Sequence, residues 1–525
     1  MATPRENTPS LLDDILSKLS TLPGRRRLTA TVLISQPRKK AAATVFPYAP
    51  KIEEVQAVEQ EVLLLIAENK NTQQTQDQSQ SDADATLPGP GAYVAAIEAN
   101  LYIFPTTHSV IVYISKVDTT GQGQRPSPTR AAAVALLEHI VRRWFAGSRS
   151  EGSPGWNVWI HLFARAQNQY LFPASIEHPG KKVLSDAGLV KWWKAVMDDF
   201  VGGCAKYEKN SGSSRLRAEP YVTLPGATDD EAIHLLKIPL RKPQATTGYD
   251  WRYGHPYSTL PSSTFSLATS PLLSRCSPPS ILELIPYFPD DPKSRFIAEL
   301  MDSHTTVSGT VISPPAKRRR IDEQGTSKPT GNDEATNLLS QSEYQWVDPL
   351  ESVSIEEFWE RMAFRQECSL GAVVAFFVVY VHTSPIPQLS HDGAASLPGS
   401  AKEPLPKRLE LPPGQVVSLL AKLNSLDFGT TEKSVQSTTL LQQGIRAAAK
   451  GYVVLADGLP GEGNESAVLL SSETGTGHDE EELFARYISR SVELNNPDLP
   501  PKEPGLVAAP AVNVLTARKK KKVPL

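Results

Sequence analysis

Between Tyr93 and Phe163 the chain reads as strand, strand, helix, strand. Tyr93–Phe104 and Ser109–Val117 carry β-type patterning, and the second runs into a turn-like stretch, Asp118–Pro128. Ser127 offers a side-chain cap, and Pro128 a preset φ for a first helical turn. Ala131–Phe145 follows as a helix whose Leu137, Ile140, Val141 and Trp144 share one face. Trp156–Phe163 resumes the strand pattern. Such alternation predicts a mixed α/β fold, with helices lying on a central sheet. Leu28–Ser35 predicts a further strand. Lys51–Asn69, Ser185–Phe200 and the capped segment holding Leu11, Leu12, Ile15, Leu16 and Leu19 predict helices. The longest strongly apolar run, Ala372–Val381, is about half the ~20 residues of a membrane helix. It reads as a buried strand or a core helix.

Of 525 residues, 44 are proline and 40% are apolar, enough for a sizeable core with proline-rich insertions around it. The insertions are expected to be disordered at about 71–86, 305–341 and 383–413. A net charge of −3 gives no global field to recruit nucleic acid. Three scattered cysteines, Cys204, Cys276 and Cys368, form no CxxC and point to a reducing compartment. The histidines show no HExxH or HxxxH spacing, so no metal centre is expected.

Four features carry candidate chemistry. Val117-Asp118-Thr119 ends a strand, and Arg130 opens a helix; a helix N-terminus with an arginine suits a phosphate, or is simply a turn with a surface charge. Phe163, Tyr170, Trp192 and Trp193 form an aromatic group. Leu189, Trp192, Val196 and Phe200 share a stripe, so Trp192 reads as core, while Trp193 lies about 100° away; one of the two can line a pocket. Asp290 and Asp291 are paired carboxylates in Pro286–Lys293, suited to acid–base work. Asp291 before Pro292 also reads as a helix cap. The basic runs Lys317–Arg320 and Lys519–Lys522 are either solvated charge or nuclear-import signals.

Tyr113–Gly121, Leu189–Trp193, Ile285–Lys293 and Phe358–Cys368, in that order and over the right length, resemble the fungal histone acetyltransferases known as regulators of Ty transposition. These are distant structural relatives of the metazoan CBP-type acetyltransferases. The resemblance implies one large acetyltransferase domain, about 28–456, after an N-terminal arm (1–27) and before a flexible C-terminal region with a basic tail (457–525). It implies acetyl-CoA as cofactor and lysines of histone H3, with histone H4, as substrate. Expected partners are an anti-silencing histone chaperone and a nucleosome-assembly-type chaperone, in the nucleus, with roles in replication-coupled chromatin assembly, transcription and DNA damage. No sequence-specific nucleic-acid or membrane contact is expected.

The same resemblance assigns residues. Val117, Asp118, Thr119, Pro126, Ser127, Pro128, Thr129 and Arg130 hold the cofactor, with Arg130 where CBP-type enzymes place a pyrophosphate-binding arginine. Phe163 and Tyr170 line the cofactor and lysine channel. Lys182, Val183 and Leu184 match a cofactor-backbone segment. Trp192 lies on the cofactor side, and Trp193 guards the lysine tunnel. Asp290 and Asp291 form the acidic pair, with Asp291 as proton acceptor, and Lys293 is an autoacetylation site. Gln167 stands where a smaller cofactor contact is expected, and the loop Ala146–Pro154 is short. The rival readings are a catalytically silent chromatin scaffold and an acetyl-CoA enzyme for another amine.

Overall fold

The computed structural model describes residues 9–48, 55–69, 91–146, 156–211, 215–237, 251–256, 281–307, 350, 353–365, 368, 373–384, 408–450, 452–457, 464–469 and 481–498. Its strands are β1 (Gly24–Ile34), β2 (Arg38–Ala41), β3 (Gln56–Asn69), β4 (Ala92–Phe104), β5 (Ser109–Thr119), β6 (Asn157–Ala164), β7 (Arg215–Thr223), β8 (Arg252–Tyr253), β9 (Ala375–Ser384), β10 (Arg408–Glu410), β11 (Tyr452–Asp457), β12 (Asn464–Leu469) and β13 (Ser489–Asn496). Ten of them make one mixed sheet in the order β13-β1-β3-β4-β5-β6-β9-β7-β8, with β2 paired to β3 off that path; β10, β11 and β12 make a second. Parallel pairing joins β5 to β6 and β7 to β8.

Helices cover both faces of the main sheet. α1 (Leu11–Ser20), α2 (Thr129–Ala146), α3 (Asp186–Ser211) and α4 (Asp229–Leu236) pack on one face, over Leu28, Val62, Leu64, Val112 and Val158. The crossover from β5 to β6 runs through α2, as parallel pairing requires. On the other face α5 (Ile281–Leu284), α6 (Pro292–Val307) and α7 (Ile355–Met362) cover Tyr102, Tyr113, Trp159 and Tyr380. Further along that face, α8 (Gln415–Leu423) and α9 (Thr431–Ala449) cover Leu63, Leu65 and Tyr93.

Several sequence expectations change. Gln56–Asn69 is a strand, not part of a helix. Its Val62, Leu64 and Ile66 face one layer and Leu63, Leu65 and Ala67 the other, so burial on both sides erases the alternation. Residues 51–54 of that expected helix lie outside the described residues. Of the apolar run Ala372–Val381, residues 375–381 form part of strand β9, with β6 and β7 paired on either side, and residue 372 lies outside the described residues. The α1 cap is Ser10, whose Oγ accepts from Asp13 N at 3.2 Å while Asp13 Oδ2 accepts from Ser10 N at 2.9 Å. At α2 the Pro128 carbonyl takes the first helical bond, from Ala132 N at 3.0 Å, so Pro128 is the cap and the helix starts at Thr129, one residue later than a Ser127 cap predicts. α3 continues past Phe200 to Ser211.

The sheet also ignores the expected breaks at 27 and 457. β1 runs through residue 27, and β13 pairs with it from Gly24↔Asn496 to Thr31↔Ser489. The insertions expected at 71–86 and, beyond residue 307, up to 341 lie outside the described residues. So do 385–407 and both basic runs.

Candidate active site

The Asp118 carboxylate, near the end of β5, is where the site is assembled. It is buried, and one oxygen accepts three successive backbone N–H groups, from Tyr170, Leu171 and Phe172, at 2.8, 2.9 and 3.1 Å. The other oxygen accepts from Thr119 N at 2.8 Å and from Lys181 Nζ at 2.9 Å. Lys181 also reaches Ser175 Oγ at 2.6 Å. Burial pulls the Lys181 ammonium below its ordinary value against the opposing pull of Asp118. Asp118 therefore ties β5 to the loop after β6 and to the loop before α3. Both its oxygens are engaged, so it positions groups and has no lone role in proton transfer.

Those loops enclose a cleft of about 740 Å³. Gly121 sits at φ +79° against the backbone of Lys181, where an added Cβ would come 2.3 Å from Lys181 N. Only glycine lets the two walls touch there. The first turn of α2 forms another wall, with Thr129 and Arg130 lining the cleft. Arg130 Nε donates to Asp199 Oδ2 at 2.7 Å and its Nη2 to the Ala195 carbonyl at 3.1 Å, which lays the exposed guanidinium along α3. Lys116, Arg125, Arg130, Arg165, Lys181 and Lys182 line the cleft against one acid, Asp118. A cationic cleft ending at a helix N-terminus suits a polyanionic ligand.

Every residue expected to hold the cofactor lines this one cleft: Val117, Asp118, Thr119, Pro126 to Arg130, Phe163, Gln167, Lys182, Val183, Leu184 and Trp192. Tyr170 and Trp193 line it too. The tryptophans exchange the parts read from periodicity. Trp193 is the buried one, beside Val190, Val196 and Met197, and Trp192 is half-buried. Their rings meet edge to face at 4.8 Å, so both present surface to the cleft. The Tyr170 hydroxyl donates to the Arg165 carbonyl, and burial raises its pKa, so it stays protonated.

The acidic pair divides. Asp290 is exposed and bonds Lys116 Nζ at 3.1 Å, and that ammonium also pairs with Glu98 at 3.2 Å. Burial alone would pull Lys116 down, but the two carboxylates outweigh it and raise its pKa. Asp291 is buried. Its Oδ1 accepts Lys293 N at 2.9 Å, capping α6 as its sequence position predicts, and its Oδ2 accepts Lys293 Nζ at 2.5 Å. Lys293 is 3% exposed and rests over the Phe376 ring at 4.2 Å. Neither Asp291 nor Lys293 is among the residues facing the cleft.

Lys181, Lys116, Arg165, Gly121, Gly123, Gln124 and Arg125 are lining residues that sequence reasoning passed over. The Gly121-Gln122-Gly123 spacing between a strand and a capped helix was the available signal, since paired glycines in such a loop open its backbone to a ligand.

The histone acetyltransferase KAT11-type domain model matches residues 148–444. The histone acetyltransferase rtt109 of Aspergillus flavus is 29% identical over 312 residues, 56% of this chain and 46% of that protein. The one from Schizosaccharomyces pombe is 26% identical over 297 residues, 54% of this chain and 57% of that protein. The chain thus spans about half the length of these curated relatives. A crystal structure of Rtt109 from Aspergillus fumigatus is similar in fold, with a TM-score of 0.57 at 22% identity, covering 92% of this chain and 99% of that one. Since the domain model covers more than half of its residues, the chain belongs to the histone acetyltransferase KAT11-type family.

Proposed function

We propose that this chain transfers acetyl groups from acetyl-CoA to lysines of histone H3, presented with histone H4 by a histone chaperone, in the nucleus. The observation that carries the proposal is the cationic cleft, walled by the Asp118-organised loops, the first turn of α2 and the Trp192–Trp193 pair. Its residues fit acetyl-CoA. The helix N-terminus, Arg125 and Arg130 suit the phosphates, and Phe163, Val183, Leu184 and Trp192 suit the pantetheine chain. When bound there, acetyl-CoA supplies an activated thioester carbonyl.

The chain's own residues must then deliver a neutral amine. Roughly one free lysine in a few thousand is uncharged at pH 7. Tyr170 and Trp193 remove water around the entering ammonium and so favour its neutral form. Asp290, held by Lys116, draws the cation to the lip of the cleft. Asp291, which does not face the cleft, accepts the proton through an intervening water once its own partner Lys293 is neutral. Acetylation of Lys293 meets that condition, since it removes the ammonium held on Asp291 Oδ2. The basic runs Lys317–Arg320 and Arg518–Lys522 serve nuclear import and the docking of acidic chaperones.

The test is incubation of the protein with labelled acetyl-CoA and histone H3–H4 bound to the anti-silencing chaperone, with sites mapped by mass spectrometry. Acetyl groups on H3 lysines, lost in Asp118→Asn, are expected. Label absent from H3 but present on another protein or a small amine sinks the reading.

A further inference from the structure

Behind the cleft, on the inner side of the loop that carries its second wall, lies a buried arginine that no part of the proposed chemistry uses. Arg26 is on β1, with its side chain 0% exposed. Its Nη1 donates to the Gln124 carbonyl at 2.9 Å and its Nη2 to the Pro126 carbonyl at 2.8 Å. Glu68, on β3 and 6% exposed, lies 3.6 Å from Arg26 Nη1. Both Glu68 oxygens accept from Gln124 N, at 3.3 and 3.1 Å. The pair therefore holds three backbone groups of one short loop. Gln124 and Pro126 line the cleft, whereas Arg26 and Glu68 do not.

That geometry fixes the direction of the loop's remaining amides. In a planar trans peptide the N–H points opposite to the C=O of the preceding residue. With the Gln124 and Pro126 carbonyls turned inward onto Arg26, the Arg125 and Ser127 N–H groups turn outward, to the cleft side. Among the described residues neither of those two N–H groups donates to any protein acceptor. Two outward amides, with Arg125 and the first turn of α2 beside them, make a site for phosphate oxygens.

We infer that Arg26, braced by Glu68, is a positioning residue for the diphosphate of the CoA moiety, orienting the Arg125 and Ser127 amides without touching the ligand. This rests on the acetyl-CoA reading of the cleft. Only a guanidinium spans two carbonyls in a fixed fork, so lysine is no substitute. Gly123 belongs to the same device: a Cβ there would come 2.9 Å from Glu68 Oε2 and 3.0 Å from a Val94 methyl, so Gly123→Ala displaces the brace from the outside.

The test measures direct binding of CoA, and of pantetheine as a phosphate-free control, to wild type, Arg26→Lys and Gly123→Ala, with thermal unfolding followed for each. Arg26→Lys is expected to weaken CoA about 10–100-fold, the worth of one or two charge-assisted contacts, with pantetheine within about twofold. Gly123→Ala is expected to move CoA the same way and covers the case in which Arg26→Lys folds poorly. Unchanged CoA affinity, or equal losses for CoA and pantetheine, overturns the role. The two readings fail separately: CoA binding without histone acetylation sinks the proposed reaction and leaves Arg26 its part, whereas a wild type that binds no CoA sinks both.

Discussion

The Lys181 ammonium sits 2.9 Å from the Asp118 carboxylate, with both side chains 5% exposed. Removing one member of such a pair strands the other, and the stranded charge dominates the cost. Asp118→Asn leaves Lys181 buried opposite a neutral amide and turns an NH₂ toward N–H donors. A loss of about 3–5 kcal/mol in urea unfolding is expected, along with weak CoA binding. Lys181→Met leaves Asp118 its four backbone donors, so a smaller loss of about 1–3 kcal/mol is expected. The reverse order of cost would show that the amides, rather than the ion pair, are incidental.

Arg130 separates binding from stability. Its partners, Asp199 and the Ala195 carbonyl, are at an exposed surface, where an ion pair is worth about 0–1 kcal/mol. Arg130→Ala should therefore leave unfolding nearly unchanged. If the guanidinium swings from α3 to a phosphate, KM for acetyl-CoA rises about 10-fold or more with kcat little altered. A variant with wild-type KM assigns Arg130 to the α2–α3 contact alone.

Much of this site was legible because its parts sit at the ends of elements. Asp118 near the end of a strand and Asp291 before Pro292 each carry a local signal that tertiary packing does not override, and Pro128 marks the start of α2 to within one residue. What stayed hidden depends on partners distant in sequence. Lys181, next to Lys182, reads as one of two solvated lysines until Asp118, 63 residues away, accepts it. Arg26 sits in Arg25-Arg26-Arg27, which reads as surface charge; the one available clue is parity, since Arg26 alternates in step with the inward Leu28, Ala30 and Val32. β3 misled for the opposite reason, having too many apolar neighbours to show a period. The Trp192–Trp193 order turned on the buried face of α3, which runs through Val190, Trp193, Met197, Val201 and Cys204, one position round from the stripe that starts at Leu189.

Lys293 and Asp291 make a linked prediction. Burial lowers the Lys293 pKa although Asp291 opposes the shift, so the amine is nearer to neutral than a surface lysine. Lys293→Arg keeps a charge on Asp291 permanently and adds bulk against Phe376. Histone acetylation is expected to fall severalfold, and the Lys293 peptide of the wild type to carry acetyl mass. Asp291→Asn should lower kcat severalfold, since an amide cannot accept the proton. Wild-type turnover and pH profile in Asp291→Asn would return proton acceptance to solvent.

His161 gives the last prediction, on stability against pH. It lies on β6, facing Phe288 with ring centroids 5.7 Å apart, and its Nδ1 has no partner among the described residues. Burial, with the Lys293 ammonium adding to it, pushes its pKa down from 6.5 to about 3. Above pH 6.5 the ring is neutral both folded and unfolded, and it contributes no pH dependence. Below 6.5 the unfolded chain binds a proton that the folded chain refuses, so stability drains as pH falls towards 3. The slope approaches about 1.4 kcal/mol per pH unit for one such group. His255, pushed down to about 4 by burial, adds to the wild-type slope in the upper part of that range. Comparison with His161→Phe, which keeps a ring against Phe288, isolates the His161 share. Urea unfolding at intervals from pH 7 to pH 4 should show the variant losing distinctly less stability than the wild type. Parallel curves would mean that His161 takes up its proton in the folded protein as readily as in the unfolded chain.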